Sequence, residues 1–160
     1  MKSKGFFFVF VSILFLFSCS TSKKVSLNEN EIIQKVQKKD FTIFVNYAYP
    51  SRGSQIYLTS KYSLKIKNDS AFAYLPYYGV AYVAPYNSSE GGIKFSEPMY
   101  DYIQTVNKKN DGWEIRFKVK TVMSDVNVFM EIFKNGISSI NINSYERESI
   151  HFSGEVKLNE

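Results

Sequence analysis

Apolar and polar residues alternate at every second position through most of the chain after residue 40. The clearest run spans 113–119, where the apolar residues are Trp113, Ile115, Phe117 and Val119 and charged residues stand between them. Successive side chains of a strand point to opposite faces, so this period predicts strands with one face in a core. Similar runs lie at 41–49, 62–66, 72–74, 126–132, 140–142 and 150–156. The fold is therefore predicted to be mostly β.

Turn-forming sequences separate these runs and predict how the strands connect. They lie at 50–53, 68–70, 107–112 and 134–136, and residues such as Asn and Gly close hairpins. We expect about nine or ten short strands. Parallel strands need long crossover connections, and no long helical pattern lies between the runs, so the sheet is predicted to be antiparallel. Its edges are best hidden in a barrel or, alternatively, a β-sandwich, within one domain.

A short helix is predicted ahead of the strands, at about 29–39. Asn28 and Glu31 have the spacing of a capping box, and Ile32, Ile33 and Val36 follow on one side of a helical wheel. Because this apolar stripe is narrow, we expect the helix to rest on the domain surface without forming the core.

The first 19 residues have the layout of a secretory leader. Lys2 and Lys4 precede an apolar run at 6–17, which ends in Ser18 and Cys19. This run is shorter than the about 20 residues of a membrane-spanning helix, so a cleaved signal peptide at 1–18 is favoured over an uncleaved anchor. A cysteine directly after the small residue resembles the lipobox of bacterial lipoproteins. We expect an acylated Cys19, a tether at 19–28 and a barrel domain at 29–160.

Charge and cysteine content exclude several functions. Removing residues 1–18 takes away two of the 20 basic residues and none of the 15 acidic ones, which leaves a charge of +3. A surplus this small does not indicate a nucleic-acid partner. Cys19 is the only cysteine, so acylation would leave no thiol for a disulfide, a nucleophile or a metal ligand. No cofactor or metal is expected.

Several motifs resemble the DUF4251 family of uncharacterised Bacteroidetes lipoproteins. The most specific are Leu75-Pro76-Tyr77-Tyr78-Gly79 and Gly91-Gly92-Ile93-x-Phe95, and Asn46-x-Ala48-x-Pro50 and Ile150-x-Phe152-x-Gly154 add to them. The resemblance covers roughly residues 30–157. It implies a lipocalin-like β-barrel and a lipid-anchored envelope protein without assigned catalytic residues. Surface-exposed lipoproteins of that phylum tend to carry an acidic run directly after the acylated cysteine, whereas Lys23 and Lys24 make this run basic. The resemblance therefore implies an outer membrane lipoprotein that faces the periplasm.

A tyrosine-rich segment at 74–86 is the main candidate for a binding surface. Tyr77, Tyr78, Tyr82 and Tyr86 are its candidate residues for a ligand or a protein partner, because tyrosine combines a large apolar body with a polar tip. The alternative is a structural cluster that fills a barrel mouth. Strand alternation would send Tyr78 and Tyr82 to the same face.

Other polar residues have simpler explanations. Asp69-Ser70-Ala71 resembles the short O-glycosylation signal of this phylum with Ser70 as acceptor, but the Asn-Asp-Ser turn is the favoured explanation of these residues. His151 is the only histidine and is expected on the face opposite Ile150 and Phe152. The best candidates for a catalytic carboxylate pair are Glu90, Glu97 and Asp101. A role in surface solubility is enough to explain these residues. The residues Glu146, Arg147 and Glu148 are expected in a solvated turn.

These observations favour a non-enzymatic envelope protein that binds an apolar or amphiphilic ligand in its barrel. The alternative is a structural or accessory subunit of an envelope complex, with the tyrosine-rich segment as interface. A hydrolase that uses two carboxylates is the weakest hypothesis.

Overall fold

The computed structural model describes residues 29–83 and 91–157, which hold one helix and eight strands. The helix is α1 (Glu29–Gln37). The strands are β1 (Asp40–Pro50), β2 (Ile56–Lys67), β3 (Ser70–Leu75), β4 (Ile93–Val106), β5 (Gly112–Lys120), β6 (Asp125–Phe133), β7 (Ile137–Ser144) and β8 (Arg147–Lys157).

The eight strands form a closed antiparallel barrel. Each strand pairs with the next along the chain, and β8 returns to pair with β1, where Ile43 faces Val156. Closure leaves no sheet edge open, which confirms the predicted barrel and excludes the sandwich. The expected count of nine or ten strands is wrong. β4 continues unbroken through Pro98, and the tyrosine-rich segment leaves the sheet after Leu75.

Alternating side chains fill the barrel with one apolar core. In β5 the predicted apolar residues are all buried, while Glu114, Arg116 and Lys118 lie outside them. The largest fully buried side chains include Phe41, Phe117 and Phe152, from three different strands. Helix and strands share this core within residues 29–157.

A bulge at Asn46 reverses the facing of β1. The pairing with β2 and β8 shifts between Val45 and Tyr47. Val45 and Ala48 are therefore both buried, while Tyr47 lies on the outer wall. The alternating run predicted at 41–49 therefore does not keep the same side chains on one face along its whole length. The inserted residue changes which side chains point inward after Val45.

Helix α1 closes one end of the barrel, here called the helix end. Glu29 and Glu31 lie in its first turn and Lys35 in its last, which complements the helix dipole. Ile32 and Val36 are fully buried in the core. The expectation that the helix only rests on the surface is wrong, since two apolar residues are enough to cover the opening. No helix in 29–83 or 91–157 is both long and apolar enough to cross a membrane.

The opposite end is here called the mouth. It carries the connections 51–55, 121–124 and 145–146 and the described parts of the connection 76–92. Most side chains discussed below lie at this end.

Candidate functional site

A cavity of about 310 Å³ opens at the mouth, on the side of β4 to β7. We call it the mouth cavity. Its apolar wall consists of Ile93, Phe95, Val122, Met123, Val126 and Ile142, and its polar wall includes Lys94, Glu97, Ser144, Glu146 and Arg147. Small-molecule sites start at about 300 Å³ and are typically apolar with a few polar groups. The mouth cavity meets both conditions at the lower limit of size.

The inward-facing side chains of β4 form part of this wall. Ile93, Phe95 and Glu97 stand at alternate positions of β4, and Phe95 pairs with Ala73 of β3. Glu97 therefore points to the interior side of the sheet. Glu97 is partly exposed and lines the mouth cavity, a position that the expectation of surface solubility alone did not include. Asp101 lies elsewhere, on the exposed surface, where its carboxylate pairs with Lys118 at 2.9 Å.

Glu146 is the buried carboxylate of the site. The residue is 7% exposed, and its Oε1 has no hydrogen-bond partner among the described residues. Its Oε2 lies 3.9 Å from Nη2 of Arg147, too far for a hydrogen bond. A buried carboxylate oxygen without a donor is unfavourable by about 1–3 kcal/mol or more. Glu146 thus lies in a turn but is not solvated, and Arg147 and Glu148 belong to β8, so the solvated turn expected at 146–148 is wrong.

The sequence did contain a signal for Glu146. The alternation of β7 continues past the end of the strand, because Ile140, Ile142, Ser144 and Glu146 are all buried. Reading the period of two past Ser144 would have placed Glu146 inside the mouth. A turn assignment based on charge alone hides this continuation.

Arg147 connects the cavity to the tyrosine-rich segment. Its guanidinium lies 4.9 Å from the centre of the Tyr77 ring, within the range of a cation–π contact. Its Nη1 donates to the carbonyl oxygen of Gly92 at 3.4 Å. The side chain is 17% exposed. Arg147 thus holds β4, β8 and the segment after β3 together.

Residues 76–83, here called the crossing segment, run across the mouth from β3 to β8. Ala81 forms a bridge with Arg147, and the amide of Tyr82 donates to Glu146 O at 2.7 Å. The amide of Glu148 donates in return to Val80 O at 3.0 Å. Because β2 and β1 stand between β3 and β8 in the barrel, the segment covers that side of the mouth. The mouth cavity lies on the other side.

Tyr77 fixes the crossing segment from within. Its hydroxyl lies 2.9 Å from Val80 O and 3.1 Å from Glu148 O, to which it donates. Burial is the main cause that raises the pKa of Tyr77 above its ordinary value of 10.0. Tyr77 therefore serves as a structural support at neutral pH.

The other candidate tyrosines lie outside the mouth cavity or outside the described residues. Tyr78 and Tyr82 are exposed, at 37% and 65%. Tyr77 and Tyr78 border an outer hollow of about 330 Å³ together with Tyr62 and Tyr74, whose rings stack at 5.5 Å. Tyr86 falls outside the described residues. The structure thus gives Tyr77 and Tyr78 a shared environment, separate from that of Tyr82.

A wider hollow of about 710 Å³ lies on the outer wall over β4 to β7. Outward-facing side chains such as Arg116, Asn127 and Asn141 form it. Water already solvates such groups, and the hollow contains no buried polar atom without a partner among the described residues. The mouth cavity is the stronger candidate for a ligand site.

The remaining candidates have ordinary surroundings. Ser70 begins β3 and pairs with Lys67 and Pro98, directly after the turn at Asn68, whose φ is 56°. His151 lies on the outer face, as expected, with its ring 5.4 Å from that of Tyr49. No cluster of three or more potential metal ligands occurs in the described part of the chain. Cys19 and Glu90 fall outside that part.

Comparison with known proteins agrees with this architecture. A family model described as "Domain of unknown function (DUF4251)" matches residues 23–156. The crystal structure of a DUF4251 family protein from Bacteroides eggerthii DSM 20697 is similar, with a TM-score of 0.62 at 13% sequence identity. The similarity covers 82% of this chain and 87% of that one, and at this identity it shows the fold alone. No curated protein matches the chain. The family match spans most of the sequence and confirms the resemblance seen in its motifs, so the chain belongs to the DUF4251 family.

Proposed function

We propose that this protein is a lipid-anchored, non-enzymatic component of the cell envelope that binds a small amphiphilic ligand in the mouth cavity. The mouth cavity carries this proposal, because it is an apolar hollow of about 310 Å³ with a few polar groups in a barrel otherwise filled by side chains. Its volume corresponds to that of about ten water molecules. A ligand of roughly ten non-hydrogen atoms fits this volume.

The proposed anchor is Cys19. Its support is the leader at 1–18, in which Ser18 directly precedes the cysteine. The basic residues Lys23 and Lys24 support a location in the outer membrane facing the periplasm. We expect radiolabelled palmitate to be incorporated into the wild-type chain and not into Cys19→Ser. Labelling of the variant at the wild-type level would contradict the anchor.

Native mass spectrometry tests the ligand. The chain from residue 20 to residue 160 keeps α1 and all eight strands, and thus the whole described core. Secreted into the periplasm and purified without detergent, it should carry a reproducible added mass that is lost on denaturation. A clean apo protein would contradict ligand binding.

A pair of matched variants locates the ligand. Val126 is buried and lines the mouth cavity, so Val126→Phe should fill it and abolish the added mass. Val106→Phe makes the same change at an exposed position at the helix end and should retain the added mass. Equal retention in both variants would place the ligand elsewhere.

A second candidate function is an accessory subunit of an envelope protein complex. It is favoured by the exposure of Tyr78, Val80, Tyr82 and Val83 in one segment, because aromatic residues are enriched in interfaces. A photo-crosslinking residue at position 82 should then give one discrete protein adduct in cells. The control position is Ile137, which is exposed at the helix end. Equal adducts at both positions, or none, would contradict this function.

A further inference from the structure

We propose that the ligand of the mouth cavity carries a protonated amine, which Glu146 binds with Glu97 as a second carboxylate. This inference rests on the proposed function and specifies the chemical class of its ligand. Its starting point is the buried Oε1 atom of Glu146, which has no hydrogen-bond partner in the described parts of the chain.

The burial of Glu146 calls for a donor inside the cavity. An ionised carboxylate only accepts hydrogen bonds, with two oxygens to satisfy, and burying it without donors is costly. The surrounding residues at 29–83 and 91–157 supply none to Oε1. An alkylammonium group brings three donors and a positive charge, so it complements the carboxylate of Glu146, which lines the cavity.

Positive side chains at the cavity are engaged elsewhere. Arg147 stacks on Tyr77 and donates to Gly92 O, and its closest approach to Glu146 is 3.9 Å. The Lys94 ammonium lies 4.8 Å from the centre of the Tyr74 ring, towards the outer hollow. Neither cation therefore takes the place of an ammonium group at Oε1.

Glu97 adds a second carboxylate to the same wall. It stands on the inward phase of β4, two positions after Phe95. The register of β3 and β4 pairs Glu97 with Ala71, whose small side chain leaves room beside it. Glu97 makes no ion pair with another residue of the described ranges. Lys94 and Arg147 also line the cavity, but both lie against tyrosine rings. The two carboxylates therefore favour a cationic ligand head over an anionic one.

The rest of the cavity fits the apolar body of such a ligand. Val122 and Met123 lie on the β5–β6 connection, and Val126 and Ile142 continue the wall inward. Methionine adapts to irregular apolar shapes. A short alkyl chain can therefore lie against this wall while its ammonium group reaches Glu146.

Three probes with the same alkyl chain separate head-group recognition from apolar binding. Octylamine, octan-1-ol and octanoate are titrated into residues 20–160 by isothermal titration calorimetry. We expect octylamine to bind at least about tenfold more tightly than octan-1-ol, since hydrogen bonds to charged groups contribute more than this. Octanoate should bind most weakly.

Variants then assign the recognition to the two carboxylates. Glu146→Gln keeps the shape and removes the charge, so octylamine affinity should fall about tenfold and octan-1-ol affinity should stay unchanged. Glu97→Gln should act in the same direction. The control is Glu155→Gln, because Glu155 is exposed on β8 near the helix end, and it should change neither affinity. Near-ultraviolet circular dichroism checks that each variant is folded.

The outcomes distinguish the amine assignment from the ligand-binding function. Equal affinity for octylamine and octan-1-ol, or tightest binding of octanoate, would overturn the amine assignment and leave the ligand-binding function standing. Failure of all three probes to bind would count against both. If Glu146→Gln does not fold, the ranking of the three probes on the wild-type chain and on Glu97→Gln still decides.

Discussion

The Tyr77 hydroxyl meets the carbonyl oxygen of Glu148 at 3.1 Å, although 71 residues separate the two in sequence. This contact joins the crossing segment to β8. Tyr77→Phe should lower the free energy of unfolding by about 1 kcal/mol, the typical contribution of one hydrogen bond. Urea unfolding measures this change.

Amide hydrogen exchange tests the effect of Tyr77→Phe at the junction itself. The amides of Tyr82 and Glu148 donate across this junction, so both should exchange faster in Tyr77→Phe. Tyr78→Phe is the control, because Tyr78 is exposed and belongs to the same segment. Unchanged exchange in Tyr77→Phe would show that the backbone bonds alone hold the segment.

The buried face of α1 is predicted to contribute strongly to stability. Ile32 is fully buried while its neighbour Ile33 is only partly buried. Ile32→Ala should cost about 2–5 kcal/mol because it leaves a cavity under the helix. Ile33→Ala, a chemically identical change, should cost clearly less. Equal midpoints in urea for the two variants would contradict the role of α1 as the cover of the barrel.

Gly154 of β8 packs closely against the backbone of β1 and should tolerate a larger residue poorly. A Cβ atom at this position would collide with the carbonyl oxygen of Phe44. Gly154→Ala should therefore destabilise the barrel by about 1–3 kcal/mol through overpacking. Gly91→Ala is the control, since no atom lies within 4 Å of a Cβ there. Thermal unfolding distinguishes them, and a wild-type melting temperature for Gly154→Ala would refute the close approach.

His151 should make stability depend on pH. Burial lowers its pKa below the ordinary 6.5, so the folded state binds the proton less readily than the unfolded state. The free energy of unfolding is then highest above pH 6.5 and falls as the pH drops through 6.5 towards the lower folded pKa. His151→Phe keeps a ring beside Tyr49 without titrating. Its melting temperature should fall less than that of the wild type between pH 7 and pH 5, and parallel curves would contradict this.

The strands were predictable because each one obeys a local rule. In β5 the alternation of Trp113, Ile115 and Phe117 with charged residues decides the inward face without any tertiary information. The hairpin at 134–136 was equally visible, since Gly136 adopts a φ of 88° that glycine tolerates. Barrel closure was not decided by these local rules, which left a β-sandwich open, and it became certain only from the pairing of β8 with β1.

The side chains that line the mouth were less predictable. Which of them point inward depends on the strand register beyond the local alternation. One inserted residue at Asn46 changes which aromatic side chains of β1 face outward. Glu146 does lie in the turn between β7 and β8, as its charge suggested, but it is buried there. Composition and local patterns do not contain the bulge, and the depth of the turn is visible only if the alternation of β7 is followed past Ser144.

The two ends of the barrel differ, because both ends of the described chain lie at one of them and the cavity at the other. Glu29 lies near the β4–β5 and β6–β7 turns at the helix end, and Lys157 pairs with Thr42 at the same end. The mouth cavity opens at the opposite end. An attachment point ahead of Glu29, whether the proposed acyl chain or a sensor surface, therefore joins the barrel at the end opposite the cavity and leaves the mouth free for ligands that arrive by diffusion through water.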